Sequence, residues 1–367
     1  MHLAVDASPL LLRSAGVKNY LYHWIVALRQ AGAGHRVSPF PFLDQIGDLH
    51  HEQSTLAAWE TVPRIAFLLG SNYGPGWLMR LANRRADVFH ATNQVHHPVP
   101  GMALTTTLHD MTCWLMPELH TPGNVEADRR FAAQIAAKAD GLIAVSENTR
   151  LDAIRLLGLA PDKVVTIHSG VAEAFFDVTA AEGQAVRERL RLTKPFVLNL
   201  GTVEPRKNLD ALLDAWEALG RDDFELVLAG PMGWAAGSTA QRIQSGVAGV
   251  RYLGYVAERD LPGLTKAAAV FAYPSLYEGF GFPVAQGMAC GVPVLTSNTS
   301  CLPEITRDGA LHVDPRSVAE IAAGLGRLLD SAELRASMGE AGLARARAHF
   351  RWAVCAAKSW EFFRRFS

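Results

Sequence analysis

The chain reads as an α/β protein built from two doubly wound, Rossmann-like domains in succession. Three observations carry this reading. Short apolar runs alternate with longer amphipathic ones, the pattern of βα units around a parallel sheet. The alternation occurs twice, in sets separated by a polar, charged stretch from Asp177 to Lys194. A length of 367 residues is long for one core and comfortable for two.

In the first set the strand candidates are Leu3–Val5, Val88–His90, Thr105–Leu108, Gly141–Val145 and Val164–Ile167. In the second they are Phe196–Leu200, Glu225–Ala229, Val250–Tyr252, Val270–Ala272, Val292–Thr296 and Ala310–Val313. Helices are expected over 127–139 and 317–330, where apolar residues recur at helical spacing. The boundary falls near 172–194, which divides the chain into domains of 1–175 and 176–350, with a terminal helix over 351–367. That last helix is aromatic and basic, carrying Trp352, Trp360 and Phe363.

Composition sets bounds on function. Lys+Arg of 35 against Asp+Glu of 36 leaves no global field to attract nucleic acid. Cys113, Cys290, Cys301 and Cys355 stand far apart, which suggests buried, reduced thiols and not a disulfide or zinc framework. The start, Met-His-Leu-Ala-Val-Asp, has no signal-peptide pattern, and no apolar run is long enough to span a bilayer. A cytoplasmic protein is expected. The stretch Pro75 to Arg85 mixes Trp77, Leu78, Leu81 and three arginines at helical spacing. A domain-surface helix is its plain reading, and peripheral contact with an anionic membrane is the alternative.

The most informative segment is 275–293. Glu278 enters a turn bearing Gly279 and Gly281, and Pro283 follows as a first helical residue, with a stop at Gly291. Small residues let backbone N–H groups approach a ligand, and the helix start adds a positive dipole end. Such a turn suits an anionic, hydroxyl-rich ligand. Arg206 and Lys207 follow the strand Phe196–Leu200 and a Gly201–Pro205 turn. Ligands of open α/β sheets bind outside the carboxyl ends of strands, where two adjacent cations can hold a diphosphate. His109 and Asp110 close the strand Thr105–Leu108 in the same way.

Together these stretches resemble the retaining nucleotide-sugar glycosyltransferases of family 4. The match includes Val5-Asp6-Ala7, Gly16-Val17, Thr107 to Asp110, Ala144 to Glu147, Gly201 to Asn208, Ser275 to Pro293 and Ser297 to Glu304, in order along nearly the whole chain. The resemblance implies the GT-B fold, two Rossmann-like domains facing across a cleft, with the terminal helix crossing back to the first. It implies an acceptor on the first domain and a nucleotide-sugar donor on the second. His109 would face the donor sugar, Arg206 and Lys207 would hold the diphosphate, and Glu278 would bind sugar hydroxyls. Gly16, Gly201, Gly279, Phe280 and Gly281 would line the donor.

Two departures stand out. Where the family has a second carboxylate, eight positions after Glu278, this chain has Gln286, which can meet a ribose hydroxyl only through neutral hydrogen bonds. Where the family has a second small residue after Gly16, this chain has Lys18, whose charge fits a phosphate group or points outward. Overall similarity leans toward mannosyltransferase-like enzymes of bacterial polysaccharide assembly, hence GDP-mannose, with UDP-sugars as the other donors. The acceptor would be a glycan or lipid-linked saccharide. The chain lacks an Asp-x-Asp motif, and the adjacent pairs His50-His51 and His96-His97 lack ligand spacing, so neither a metal nor another cofactor is expected. The competing readings are a binding-only homologue, a nucleotide-sugar epimerase and a glycan phosphorylase.

Overall fold

A computed structural model describes the chain except residues 13–15, 44, 50–52, 74–76, 93–98, 100, 234–235 and 367. Side chains at 72, 73, 124 and 131 are not described either. The pairs His50-His51 and His96-His97, Arg13 to Ala15 and Pro75-Gly76 therefore lie outside the described residues. The chain divides into one unit of Met1–Gly170 with Trp352–Ser367, and a second of Val171–Arg351.

The first unit holds a parallel sheet of β1 (His2–Asp6), β2 (Arg36–Phe40), β3 (Val88–Ala91), β4 (Ala103–Leu108), β5 (Gly141–Ala144) and β6 (Val164–Thr166). Their order is β2-β1-β3-β4-β5-β6. The strands are apolar along most of their length because helices cover a parallel sheet on both faces. The strand β2 is missing from the expected set. Its sequence, Arg-Val-Ser-Pro-Phe, contains Pro39, which a central strand would not accept. As an edge strand paired only with β1, β2 does accept it.

The second sheet comprises β7 (Phe196–Leu200), β8 (Glu225–Ala229), β9 (Val250–Gly254), β10 (Val270–Tyr273), β11 (Val294–Ser297) and β12 (Ala310–Val313). It runs β12-β11-β10-β7-β8-β9. Chain order therefore reverses between β7 and β10. In an open α/β sheet that reversal leaves a crevice at the strands' carboxyl ends, between the two loops that leave them. The loop after β7 carries Arg206 and Lys207, and the loop after β10 carries Glu278.

The last helix, Trp352–Phe363, belongs to the first unit and packs on α1 (Gly16–Ala31). Trp352, Trp360 and Phe363 are buried. The Trp360 indole N–H donates to the Leu28 carbonyl at 3.1 Å, and that of Trp24 donates to the Ser359 hydroxyl at 3.0 Å. Two large indoles can be buried here because each polar tip finds an acceptor. Within the second unit, Val171 donates its backbone N–H to Phe350 at 2.7 Å, so the two ends of that unit lie side by side. The expected helix over 127–139 is continuous from Pro122 to Lys138, with a wider π turn at Asp128–Ala132. Among the described residues no helix is long and apolar enough to cross a membrane.

Truncating a buried tryptophan removes a large apolar surface and leaves a cavity. Trp360→Ala is expected to cost about 3–5 kcal/mol, read as a lower urea midpoint for the first unit by intrinsic fluorescence or circular dichroism.

Candidate active site

Glu278 is the centre of the second unit's constellation. Its Oε1 accepts from Lys207 Nζ at 2.7 Å, Ser275 Oγ at 2.8 Å and Tyr273 OH at 3.1 Å. Its Oε2 lies 2.8 Å from Arg206 Nη1. Arg206 also donates through Nη2 to Glu204 Oε1 at 2.8 Å and through Nη1 to the Tyr277 carbonyl at 2.7 Å. Glu204 thus orients Arg206, and it lies 3.8 Å from Lys207. Two cations and two carboxylates make one neutral, interlocked cluster. Buried charges require such pairing, because an isolated ion would lose its hydration without compensation.

The cluster is layered. The side chains of Glu204 and Glu278 are 4% and 8% exposed, whereas those of Lys207 and Arg206 are 11% and 16% exposed. The cations are thus the slightly more exposed members of a largely buried cluster. Burial raises the Glu278 carboxyl, but the Arg206 and Lys207 charges outweigh it and bring it down to about 2. Burial lowers the Lys207 ammonium, and the neighbouring Arg206 adds to this.

Local geometry explains why the loops hold this shape. Gly281 sits at φ +81 immediately before the helix Phe282–Ala289, and a Cβ there would also come within 2.9 Å of Leu302. Pro283 is the second residue of that helix, one place later than the sequence suggests. A Cβ on Gly230, just after β8, would run into the Gly201 carbonyl just after β7, so Gly230 must be bare for the two segments to pass so closely. The Leu276 backbone donates to the Arg206 carbonyl at 2.9 Å, tying the two site loops directly.

The remaining expected residues divide. The Phe280 side chain is buried against Phe282 and Phe350, so it serves the core and leaves only its backbone for a ligand. Gln286 is half-buried on the helix, and its amide has no partner among the described residues. In the first unit, Gly16 opens α1 with nothing near its missing side chain. His109 is partly exposed and meets Tyr20 edge-on, with ring centroids 4.9 Å apart. Burial brings its pKa down to about 4, against the opposing Asp110 charge, so its imidazole is neutral near pH 7. Asp110 accepts from the Thr112 N–H and hydroxyl at 2.9 and 2.6 Å, which fixes the loop.

Lys18 follows neither sequence alternative. It is fully buried and donates to the Leu12 and Gln53 carbonyls, both at 2.6 Å. Burial lowers its pKa to about 8. Tyr273, Ser275 and Ser300, the last accepting from the Glu278 N–H at 3.1 Å, were not singled out in the sequence. The only hint was their place at the end of β10, in the loop after it, and in the loop after β11.

The model of the family described as Glycosyltransferase Family 4 matches residues 14–175, and that of Glycosyl transferases group 1 matches residues 182–345. The O-antigen chain mannosyltransferase B of Escherichia coli is 35% identical over 285 residues, covering 76% of this chain and 74% of that one. The chain belongs to the family 4 glycosyltransferases. This glycosyltransferase is also 31% identical over 193 residues to the serotype-specific mannosyltransferase WbdA of Escherichia coli, covering 50% of itself and 24% of WbdA. It thus spans about a quarter of WbdA. Its fold is GT-B: Anabaena HepE in complex with UDP-glucose aligns over 99% of each chain, with a TM-score of 0.75 and 19% identity.

The Glu278 carboxyl links the cluster to acid stability. Its native pKa lies below its ordinary 4.5, so the ionised form stabilises the native state at and above that pH. The contribution should fade as pH falls from 4.5 toward 2, a loss of about 3 kcal/mol. Urea unfolding across that range should show the loss in the parent and not in Glu278→Gln.

Proposed function

We propose that this glycosyltransferase moves a hexose, with retention, from a nucleoside-diphosphate sugar to a hydroxyl of a glycan or lipid-linked saccharide. The donor proposed is GDP-mannose, on the strength of the mannosyltransferase names that its relatives carry. The observation that carries the reading is the Arg206–Glu278–Lys207 cluster at the reversal of strand order.

In the proposed reaction the bond between the anomeric carbon and the diphosphate oxygen breaks, and its electron pair stays on the leaving group. Arg206 and Lys207 stabilise that developing charge, already oriented by the carboxylates beneath them. The acceptor hydroxyl oxygen attacks the anomeric carbon on the face the diphosphate leaves, and its proton passes to a diphosphate oxygen. No protein nucleophile or metal is required by this route. Glu278 keeps room at Oε2 for a sugar hydroxyl, since three of its four protein donors reach Oε1. His109, neutral at pH 7, would meet the donor sugar as a hydrogen-bonding group and not as a counter-cation.

A screen of nucleotide sugars, with GDP or UDP release and the anomeric configuration of the product as readouts, tests the proposal. GDP release from GDP-mannose with an α-linked product is expected. Release only from a UDP-sugar would overturn the donor, and a β-linked product would overturn retention. Lys207→Ala should lower kcat by about a hundredfold or more. A change within a few-fold would end the diphosphate assignment. Gln286→Glu should tighten nucleotide binding by up to about tenfold through a charge-assisted bond to ribose, as measured by calorimetry.

A further inference from the structure

The imidazole of His109 is placed by packing and not by hydrogen bonds. Among the described residues neither of its ring nitrogens has a hydrogen-bond partner. The neighbouring Asp110 gives its Oδ1 to the Thr112 N–H and hydroxyl and makes no bond to the ring. His90, on the adjacent strand β3, is held differently: the Thr105 and Thr107 hydroxyls lie 2.9 Å from one ring nitrogen each. A histidine used in chemistry ordinarily has one nitrogen fixed by a second group, which sets its tautomer and orientation. At His109 an aromatic contact stands in that place.

Tyr20, fully buried in the second turn of α1, sets its ring edge-on to the imidazole. The ring centroids are 4.9 Å apart and the planes meet at 81°. Such a perpendicular contact is a favoured arrangement of aromatic rings and is directional in a way that plain burial is not. Two more rings confine Tyr20. Trp24, one helical turn further along α1, lies 5.3 Å away and is itself anchored by the Ser359 hydroxyl. Trp352, which opens the terminal helix, lies 5.5 Å away at 68°.

Trp352 has little freedom in turn. It is buried, and a Cβ on Gly170 would fall 2.4 Å from its indole, so the bare backbone of Gly170 admits the ring. Gly170 is the last residue of the first unit before the second, and Trp352 is the first one after it. The terminal helix therefore reaches His109 in two ring contacts, Trp352 to Tyr20 and Tyr20 to the imidazole. We propose, on the reading in which His109 meets the donor sugar, that Tyr20 and Trp352 are positioning residues that hold its imidazole at the working angle. A leucine at either place would fill much of the same space but could not make the edge-on contact.

A double-variant cycle on the full chain tests this, with GDP release from GDP-mannose as the activity. Tyr20→Leu and Trp352→Leu should each lower kcat by about tenfold to a hundredfold, the loss a misplacement of about 1 Å can cause. GDP affinity by calorimetry should stay unchanged, and Tyr20→Phe, which keeps the ring, should recover most of the rate. In a His109→Ala background Tyr20→Leu should cost nothing further, because the group it positions is gone. An equal loss in both backgrounds would overturn the proposal and mark the rings as core packing alone. A loss in His109→Ala with none in Tyr20→Leu would overturn it while leaving the sugar-transfer reading intact. No loss in His109→Ala would remove the role of His109, and this inference with it. If the leucine variants do not fold, Trp352→Phe retains a buried ring and allows a readout without turnover. The His109 ring resonances, assigned by their loss in His109→Gln, should shift or split in Trp352→Phe, although Trp352 is in ring contact with Tyr20 and not with His109. Unchanged resonances would overturn the proposal.

Discussion

Two cations held almost out of water need two carboxylates, and the candidate site is arranged around that requirement. Glu278 satisfies Lys207 with one oxygen and Arg206 with the other, while Glu204 takes the second terminal nitrogen of Arg206. Tyr273 and Ser275, from the end of β10 and the loop after it, complete the carboxylate's hydrogen bonds. The loops after β7 and β10 are thereby locked to each other. Replacing such a cluster by apolar residues is often neutral or stabilising in proteins generally, so stability alone gives little reason to keep it. In the proposed reaction its value lies in presenting two oriented positive charges at a reversal in strand order.

The first unit follows the same rule with different groups. Asp6, wholly buried at the end of β1, accepts from the Ser8 N–H and hydroxyl and from Thr92 just beyond β3. Lys18 uses two backbone carbonyls where another protein would use a carboxylate. His109 is kept neutral by its surroundings, and Asp110 is occupied in capping the next turn. Asp6 and Asp110, at or just beyond a strand's carboxyl end, are each held by the loop they help to shape.

Much of this was legible in the sequence. Every strand but β2 stood out as an apolar run, because strands buried on both faces carry no polar alternation. β2 escaped because it is short, carries Pro39 and begins with an exposed arginine, all features of an edge. The Arg206-Lys207 pair and Glu278 were recognisable from glycine-bearing turns after strands. Tyr273, Ser275 and Ser300 were not, since nothing local distinguishes a serine that serves a carboxylate from one that serves a turn. Nor does the motif show that Phe280 packs its side chain on Phe282 and Phe350, which leaves its backbone as the part a ligand can meet.

The sequence by itself determined the fold class, the order of the elements and the residue types available for chemistry, because these depend on periodicity and on turns of a few residues. Tertiary structure decided how those residues are used. Only the adjacency of β7 and β10 shows that Glu278 meets Arg206 and Lys207 across 71 or more positions of chain. Only burial shows that Lys18 is a strut between Leu12 and Gln53, and that His109 is a neutral imidazole. A charge's role depends on what surrounds it in space, and the spacing of residues along a chain does not record that.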